Sequence, residues 1–332
     1  MEKTQAVFQL PSPFYLKLGG ELLGAELSYT ILGDESALQK KPTIWICHGL
    51  TGSGNPQEWW SELVGQGKCL DTQKFNVIGA NMLGSCYGST GPTSINPKSG
   101  KAYQAAFPEV SFEDQVEAFH LLKTHLGISS ISLLIGGSMG GQLALRWANQ
   151  YPKDVNVLAL LACNARQVPW TTAFNEVQRQ CLNSVENFEE AMVLARSIAM
   201  ISYRSPEDFR LNQHGQHPDG RSKISTYLRH QGEKLAARFD RHSYVVLSKM
   251  MDGHALGESD GECQKALRTI DTSTLVIGIS SDWLFPVEEQ KFIAKNLHNG
   301  FYHEISSTKG HDGFLTETTK ITQILQSKIN FL

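Results

Sequence analysis

The sequence predicts an α/β fold: a mostly parallel sheet flanked by helices, with a helical segment inserted between two parts of the core. Three observations carry this. Short apolar, β-branched runs alternate with helix-period segments over residues 26–163 and again after 269. Between them, over 165–268, strand-like runs are nearly absent, and apolar residues recur at helical spacing: Phe174 and Val177; Ala191, Leu194, Ala195 and Ile198; Tyr244, Leu247 and Met250. Finally, an apolar run at 131–135 leads into Gly136-Gly137-Ser138-Met139-Gly140-Gly141, and a helix-period segment, 142–148, follows at once. The expected division is therefore a first core part, 1–164, a helical lid, 165–268, and a second core part, 269–332. A lid is preferred to a separate helical domain because the segment leaves the sheet on the edge where the Ser138 turn points.

The elements follow in order. Residues 26–32 alternate like an early, half-buried antiparallel strand. Residues 43–47 form a buried strand ending at His48-Gly49-Leu50-Thr51-Gly52, and 76–80 form another. A polar, Gly-rich stretch from Asn81 to Lys101 comes next; a loop that long inside a compact domain is usually functional or mobile. Ser111 caps a helix that runs to Gly127, with Asp114 three positions on. After the Ser138 turn and its helix, 157–163 is a strand. Beyond the helical block, a strand at 274–280 ends at Ser281-Asp282-Trp283, and Pro286 opens a helix. The last strand, 301–305, ends at Lys309-Gly310-His311-Asp312-Gly313, and a helix over 316–329 closes the chain.

Composition narrows the function classes. The chain has 332 residues, 41% hydrophobic and 19% charged, as an ordinary globular protein has. Its net charge of −3 gives no reason to expect nucleic acid or an anionic membrane surface as partner. Six cysteines show neither metal-ligand nor CxxC spacing, so no metal is expected. Cys47, Cys163 and Cys181 read as reduced, mostly buried small hydrophobes. No apolar run approaches the roughly 18 residues of a membrane span, and the N-terminus lacks the apolar core of a signal peptide. The expected location is the cytoplasm.

The chemistry is read from three positions. Gly-x-Ser-x-Gly between strand and helix is the context of a nucleophile elbow, in which Ser138 stands exposed at the top of a sheet. A serine hydroxyl is a weak nucleophile at neutral pH. It needs a base, and the base needs an acid to hold its tautomer. Asp282 and His311 follow in that order, each just past a strand, so both should emerge at the carboxyl edge of the sheet beside Ser138. His48 competes for the base, but it precedes the serine, at the usual site of an oxyanion loop; a structural or oxyanion-shaping role is expected for it. The backbone N–H groups of Met139 and Leu50 are the expected oxyanion donors.

With these residues in place, the sequence resembles the homoserine O-acetyltransferase family of methionine biosynthesis, which has the α/β-hydrolase fold. Cys47-His48-Gly49-Leu50-Thr51-Gly52 is similar to the family's CHALTG, and Asn81 to Pro92 to its N-LGGCYGSTGP. Gly136 to Gly141 matches GGS-GG, Ala173 to Gln180 matches AFNEVQRQ, and the stretches from Asp282 and from Gly310 match two C-terminal motifs. The loop and lid motifs are far more specific than the elbow.

The resemblance implies that acetyl-CoA acylates Ser138, that CoA leaves, and that L-homoserine then accepts the acetyl group in a ping-pong sequence. No bound cofactor is implied; acetyl-CoA is a co-substrate, and a homodimer formed through the lid is usual. It also implies that Arg196, in Ala195-Arg196-Ser197-Ile198-Ala199, and Asp312 bind the amino acid. The physics agrees, since a zwitterion needs a cation for its carboxylate and an anion for its ammonium group. There are departures. The stretch between Gln180 and Ala191 is shorter than is typical, and Met192-Val193-Leu194 replaces a glycine-leucine. Leu284 stands after Asp-Trp, where succinyl users tend to carry an arginine, which favours acetyl. The alternatives are a serine O-acetyltransferase or a homoserine O-succinyltransferase of the same family, an esterase or thioesterase with the same triad, and a non-catalytic binding protein. An intact Ser138, Asp282 and His311 argues against the last.

Overall fold

Every residue of two central strands, Thr43–Cys47 and Asn76–Ala80, is buried. Strands covered on both faces are what a parallel sheet between helical layers requires. The computed structural model describes residues 3–329. Its main sheet has eight strands: β1 (Lys3–Gln9), β2 (Glu26–Leu32), β3 (Thr43–Cys47), β4 (Asn76–Ala80), β5 (Ile131–Gly137), β6 (Val155–Leu161), β7 (Ser273–Ile279) and β8 (Gly300–Ile305). Their spatial order is β1-β2-β4-β3-β5-β6-β7-β8. β1 and β2 pair antiparallel, as do β2 and β4; every later pairing is parallel. This is an α/β-hydrolase fold.

Alternate side chains of each strand serve opposite faces. Trp45 points to one layer, where it packs on Phe119 of α1 (Phe112–His125) and Trp147 of α2 (Met139–Gln150). Ile44 and Ile46 point to the other, toward Leu133, Ile135 and, on the last helix, Ile321 and Leu325. The Ser111 capping box at the start of α1 is formed: Ser111 Oγ accepts from the N–H of Asp114, whose carboxylate accepts from the N–H of Ser111.

Between β6 and β7 run α3 (Pro169–Ser184), α4 (Phe188–Tyr203), α5 (Pro206–Asn212), α6 (Lys223–Ala236), α7 (Arg241–Asp252) and α8 (Asp260–Arg268). Only residues 185–187 join α3 to α4, and Asn187 caps α4 by accepting from the N–H of Glu190 at 2.9 Å. The stretch between Gln180 and Ala191 is thus a tight helical hairpin. After β7 come α9 (Val287–Asn296), with Pro286 as its N-cap, and after β8 a short α10 (Gly313–Thr316) and α11 (Thr318–Ile329).

Three expectations change. β1 was not anticipated; its residues alternate only between exposed and half-buried, so it carries little hydrophobic signal. β6 starts two residues before the expected 157, where Val155 pairs with Ile131, and Cys163 lies past its end. The stretch from Asn81 is tied down: Ser89 Oγ donates to the Asn81 carbonyl at 2.6 Å and accepts from the N–H of Ser28 at 2.9 Å, while Thr90 Oγ1 accepts from Glu26 N–H at 2.9 Å.

Candidate active site

The sharp turn between β5 and α2 holds Ser138 at φ +56°, ψ −128°, a conformation non-glycine residues rarely adopt. The flanking glycines permit the close packing. A methyl group on Gly140 would collide with the carbonyl of Cys47, at the end of β3. The N-terminus of α2 therefore sits directly against the turn that follows β3.

The three expected residues come together at the carboxyl ends of β5, β7 and β8. His311 Nε2 lies 2.8 Å from Ser138 Oγ, in position to accept its proton, and His311 Nδ1–H donates to Asp282 Oδ2 at 2.7 Å. The other oxygen of Asp282 accepts from the N–H groups of Leu284 and Phe285, at 3.0 and 2.9 Å. Both partners are buried, so the carboxylate is fixed by three hydrogen-bond donors and the imidazole by the carboxylate.

Met139 is the first residue of α2, so its N–H has no acceptor within the helix. Leu50 lies in the turn after β3, closed by Gly52 N–H on the Gly49 carbonyl at 2.9 Å, and lines the same cavity as Ser138. His48 does not. It is buried beneath that turn, where Nδ1–H donates to the Gly49 carbonyl at 2.8 Å and Nε2 accepts from Met82 N–H at 3.2 Å. Both ring nitrogens are occupied, and burial lowers its pKa to about 4, so it is a neutral brace of the turn.

The cavity over Ser138 has a volume of about 160 Å³ and is walled by Leu50, Trp59, Arg196, Tyr203, Arg238 and Asp312, among others. Arg196, on α4, stacks its guanidinium 5.3 Å above the Tyr203 ring and has no carboxylate within 4 Å among the described residues. Asp312 has a partner the sequence reading did not assign: Arg204 Nε lies 3.0 Å from its Oδ2. Burial pushes the Asp312 carboxyl above its ordinary range, while Arg204 first, then Arg196 and His311, hold it down. The sequence assigned no role to Tyr203 or Arg204. Arg238, which donates to the Thr51 carbonyl at 2.8 Å and to the Tyr87 hydroxyl, gave no signal in sequence. Leu284 is buried and is not among the residues that wall the cavity over Ser138. Among the described residues no cluster of three or more His, Cys, Asp or Glu is placed to hold a metal, and no helix is long and apolar enough to cross a membrane.

Comparison with known proteins shows the family and the fold. The family model for the α/β-hydrolase fold matches residues 42–318. A homoserine O-acetyltransferase of Cyclobacterium marinum is 41% identical over 337 aligned positions, covering 98% of this chain and 95% of its own length. Among solved structures, the homoserine O-acetyltransferase from Bacillus anthracis aligns with a TM-score of 0.88 at 19% identity, over 99% of this chain and 98% of that one. An acetylester hydrolase from Corynebacterium glutamicum aligns with a TM-score of 0.85 at 20% identity, over 99% and 96%. At such identities the structures speak for the fold alone, and transferase and hydrolase share it.

Proposed function

This chain belongs to the homoserine O-acetyltransferase family of the α/β-hydrolase superfamily, and from that premise we propose that it transfers the acetyl group of acetyl-CoA to the hydroxyl of L-homoserine. Ser138 Oγ attacks the thioester carbonyl as His311 Nε2 takes its proton. The N–H groups of Leu50 and Met139 stabilise the developing oxyanion. The C–S bond then breaks, and His311 returns the proton to the departing CoA sulfur. Homoserine enters, His311 takes the proton of its hydroxyl, and attack on the acetyl ester releases O-acetylhomoserine and restores Ser138. Asp282 orients His311 and stabilises the imidazolium throughout.

One observation carries the choice of acceptor. The cavity that holds Ser138 also presents a guanidinium, Arg196, with no carboxylate partner among the described residues, and a carboxylate, Asp312. A plain esterase needs neither; an amino acid needs both, the arginine fork for its carboxylate and the carboxylate for its ammonium group. The helices from α3 to α8 serve as the lid: Trp170 Nε1 of α3 donates to the Trp283 carbonyl at 2.7 Å, beside Asp282. We also infer a cytoplasmic homodimer joined through the lid, since Leu194 and Ile201 of α4 are exposed; a monomer mass by light scattering would exclude the dimer.

Product analysis tests the reading. Acetyl-CoA is mixed with the protein in the presence of homoserine, of serine, or of neither. The expected result is O-acetylhomoserine, with CoA release that depends on homoserine. CoA release at the same rate in water alone would make the protein a thioesterase, and O-acetylserine as main product would change the acceptor.

A further inference from the structure

We propose that Arg204 is a positioning residue for the acceptor: it fixes Asp312 in the cavity as the carboxylate that receives the substrate's ammonium group. The proposal rests on the homoserine reading above and deepens it.

Arg204 is the first residue after α4, and the corner it occupies is seated on both loops that complete the triad. Trp283, next to Asp282, donates its Nε1–H to the Arg204 carbonyl at 2.8 Å. Ser205 Oγ donates to the carbonyl of Thr308, three residues before His311. Gly310, at φ +66°, lies so close that a methyl group there would come within 2.6 Å of Ser205 N and 2.7 Å of the Tyr203 carbonyl. The backbone of the corner is thereby fixed relative to His311 and Asp312.

The guanidinium is committed in two directions. Nε lies 3.0 Å from Asp312 Oδ2, and Nη1 lies 3.3 Å from Asp208 Oδ2. Asp208 is itself anchored, its other oxygen accepting from Lys309 Nζ and Asn212 Nδ2, each at 2.9 Å. Arg204 is therefore held from behind, and its contact with Asp312 is an ion pair rather than an aligned Nε–H bond. Arg196 has no such carboxylate partner among the described residues. The two arginines of the site thus divide the work: Arg196 is open to a substrate carboxylate, while Arg204 orients a carboxylate of the protein.

Charge gives the arrangement its purpose. The charged and titratable groups facing Asp312 are Arg204, Arg196, His311, Asp208, Tyr203 and Tyr227. Burial favours the neutral acid at Asp312, and Arg204 is the largest influence against it. A neutral acid at that position would give an ammonium group nothing to pair with.

The test compares Arg204→Gln and Arg204→Lys with the unmodified protein, measuring kcat/KM for homoserine and, separately, for acetyl-CoA across pH. In Arg204→Gln, kcat/KM for homoserine should fall by about tenfold or more, mainly through KM, and its acidic limb should move up by roughly one pH unit. The acidic limb for acetyl-CoA, a substrate for which Asp312 has no proposed role, should stay in place. Arg204→Lys, which keeps the charge, should leave both limbs where they are. Equal losses for both substrates with no limb moved would overturn the proposal and reduce Arg204 to a brace of the fold. A lower KM for homoserine in Arg204→Gln would overturn it too, since Arg204 would then compete with the ammonium group. If Arg204→Gln does not fold, a moved homoserine limb in Arg204→Lys overturns the proposal, and a risen KM with the limb unmoved supports it. Failure of the unmodified protein to acetylate homoserine would instead remove the acceptor reading itself.

Discussion

Ser138 occupies a backbone conformation that costs on the order of 1–3 kcal/mol for a residue other than glycine, and it is kept there by the packing of β3, β5 and α2 around the turn. Its proposed role gives the first prediction: Ser138→Ala should abolish CoA release, and Asp282→Asn and His311→Ala should each lower kcat by on the order of 10⁴-fold with the fold intact. His48→Ala should behave differently. It strips acceptor and donor from Met82 N–H and the Gly49 carbonyl, so it should lower stability by about 1–3 kcal/mol while the folded fraction keeps far more activity than His311→Ala. Steady-state rates corrected for the folded fraction by circular dichroism would check the ranking, and a reversed ranking would make His48 the base. The triad was legible because its signal is local and ordered: a serine in a strand–turn–helix, then an aspartate and a histidine each just past a strand. Arg204 was not legible as the partner of Asp312, because that pairing joins positions 108 residues apart whose meeting depends on how the lid corner sits on the His311 loop.

At the scale of elements, α4 carries the proposed acceptor site into the cavity. Its tight link to α3, residues 185–187, leads into the helix that brings Arg196 to the wall shared with Ser138. Arg196→Ala should spare acetylation of Ser138 and slow transfer to homoserine by about 10- to 150-fold, the loss of one charge-assisted partner worth about 1.5–3 kcal/mol. Rapid mixing that separates the CoA burst from O-acetylhomoserine formation would check this; a burst reduced as much as transfer would place Arg196 in donor binding or the fold. Buried strands and capped helices were readable in sequence because burial on both faces and Ser111 with Asp114 leave direct marks. β1 was missed since an edge strand of half-exposed residues leaves almost none, and only its seven-residue register with β2 defines it.

The whole molecule should be sensitive to acid. His48 and His254 are both fully buried, and burial lowers their pKa values from 6.5 to about 4 and about 3. Below about pH 6.5 the unfolded chain takes up protons at both sites that the folded chain refuses, so stability is complete above that pH and falls as pH drops. Between pH 7 and pH 5 the loss is about 2 kcal/mol per histidine. Urea unfolding at the two pH values should show a clearly lower midpoint at pH 5; equal midpoints would contradict the buried neutral histidines. The fold as a whole was legible from alternation of strand and helix, whereas the tied-down course of the stretch after Asn81 was not, because its bonds run to β2 through hydroxyls rather than through an apolar pattern. The central claim is that one serine carries the acetyl group between two substrates. It is tested most directly by mass spectrometry of the protein mixed with acetyl-CoA alone and then chased with homoserine. One acetyl group should appear on the peptide that contains Ser138, be absent from Ser138→Ala, and be discharged by homoserine as O-acetylhomoserine much faster than by water. No acetyl adduct, or an adduct discharged as fast by water as by homoserine, would contradict it.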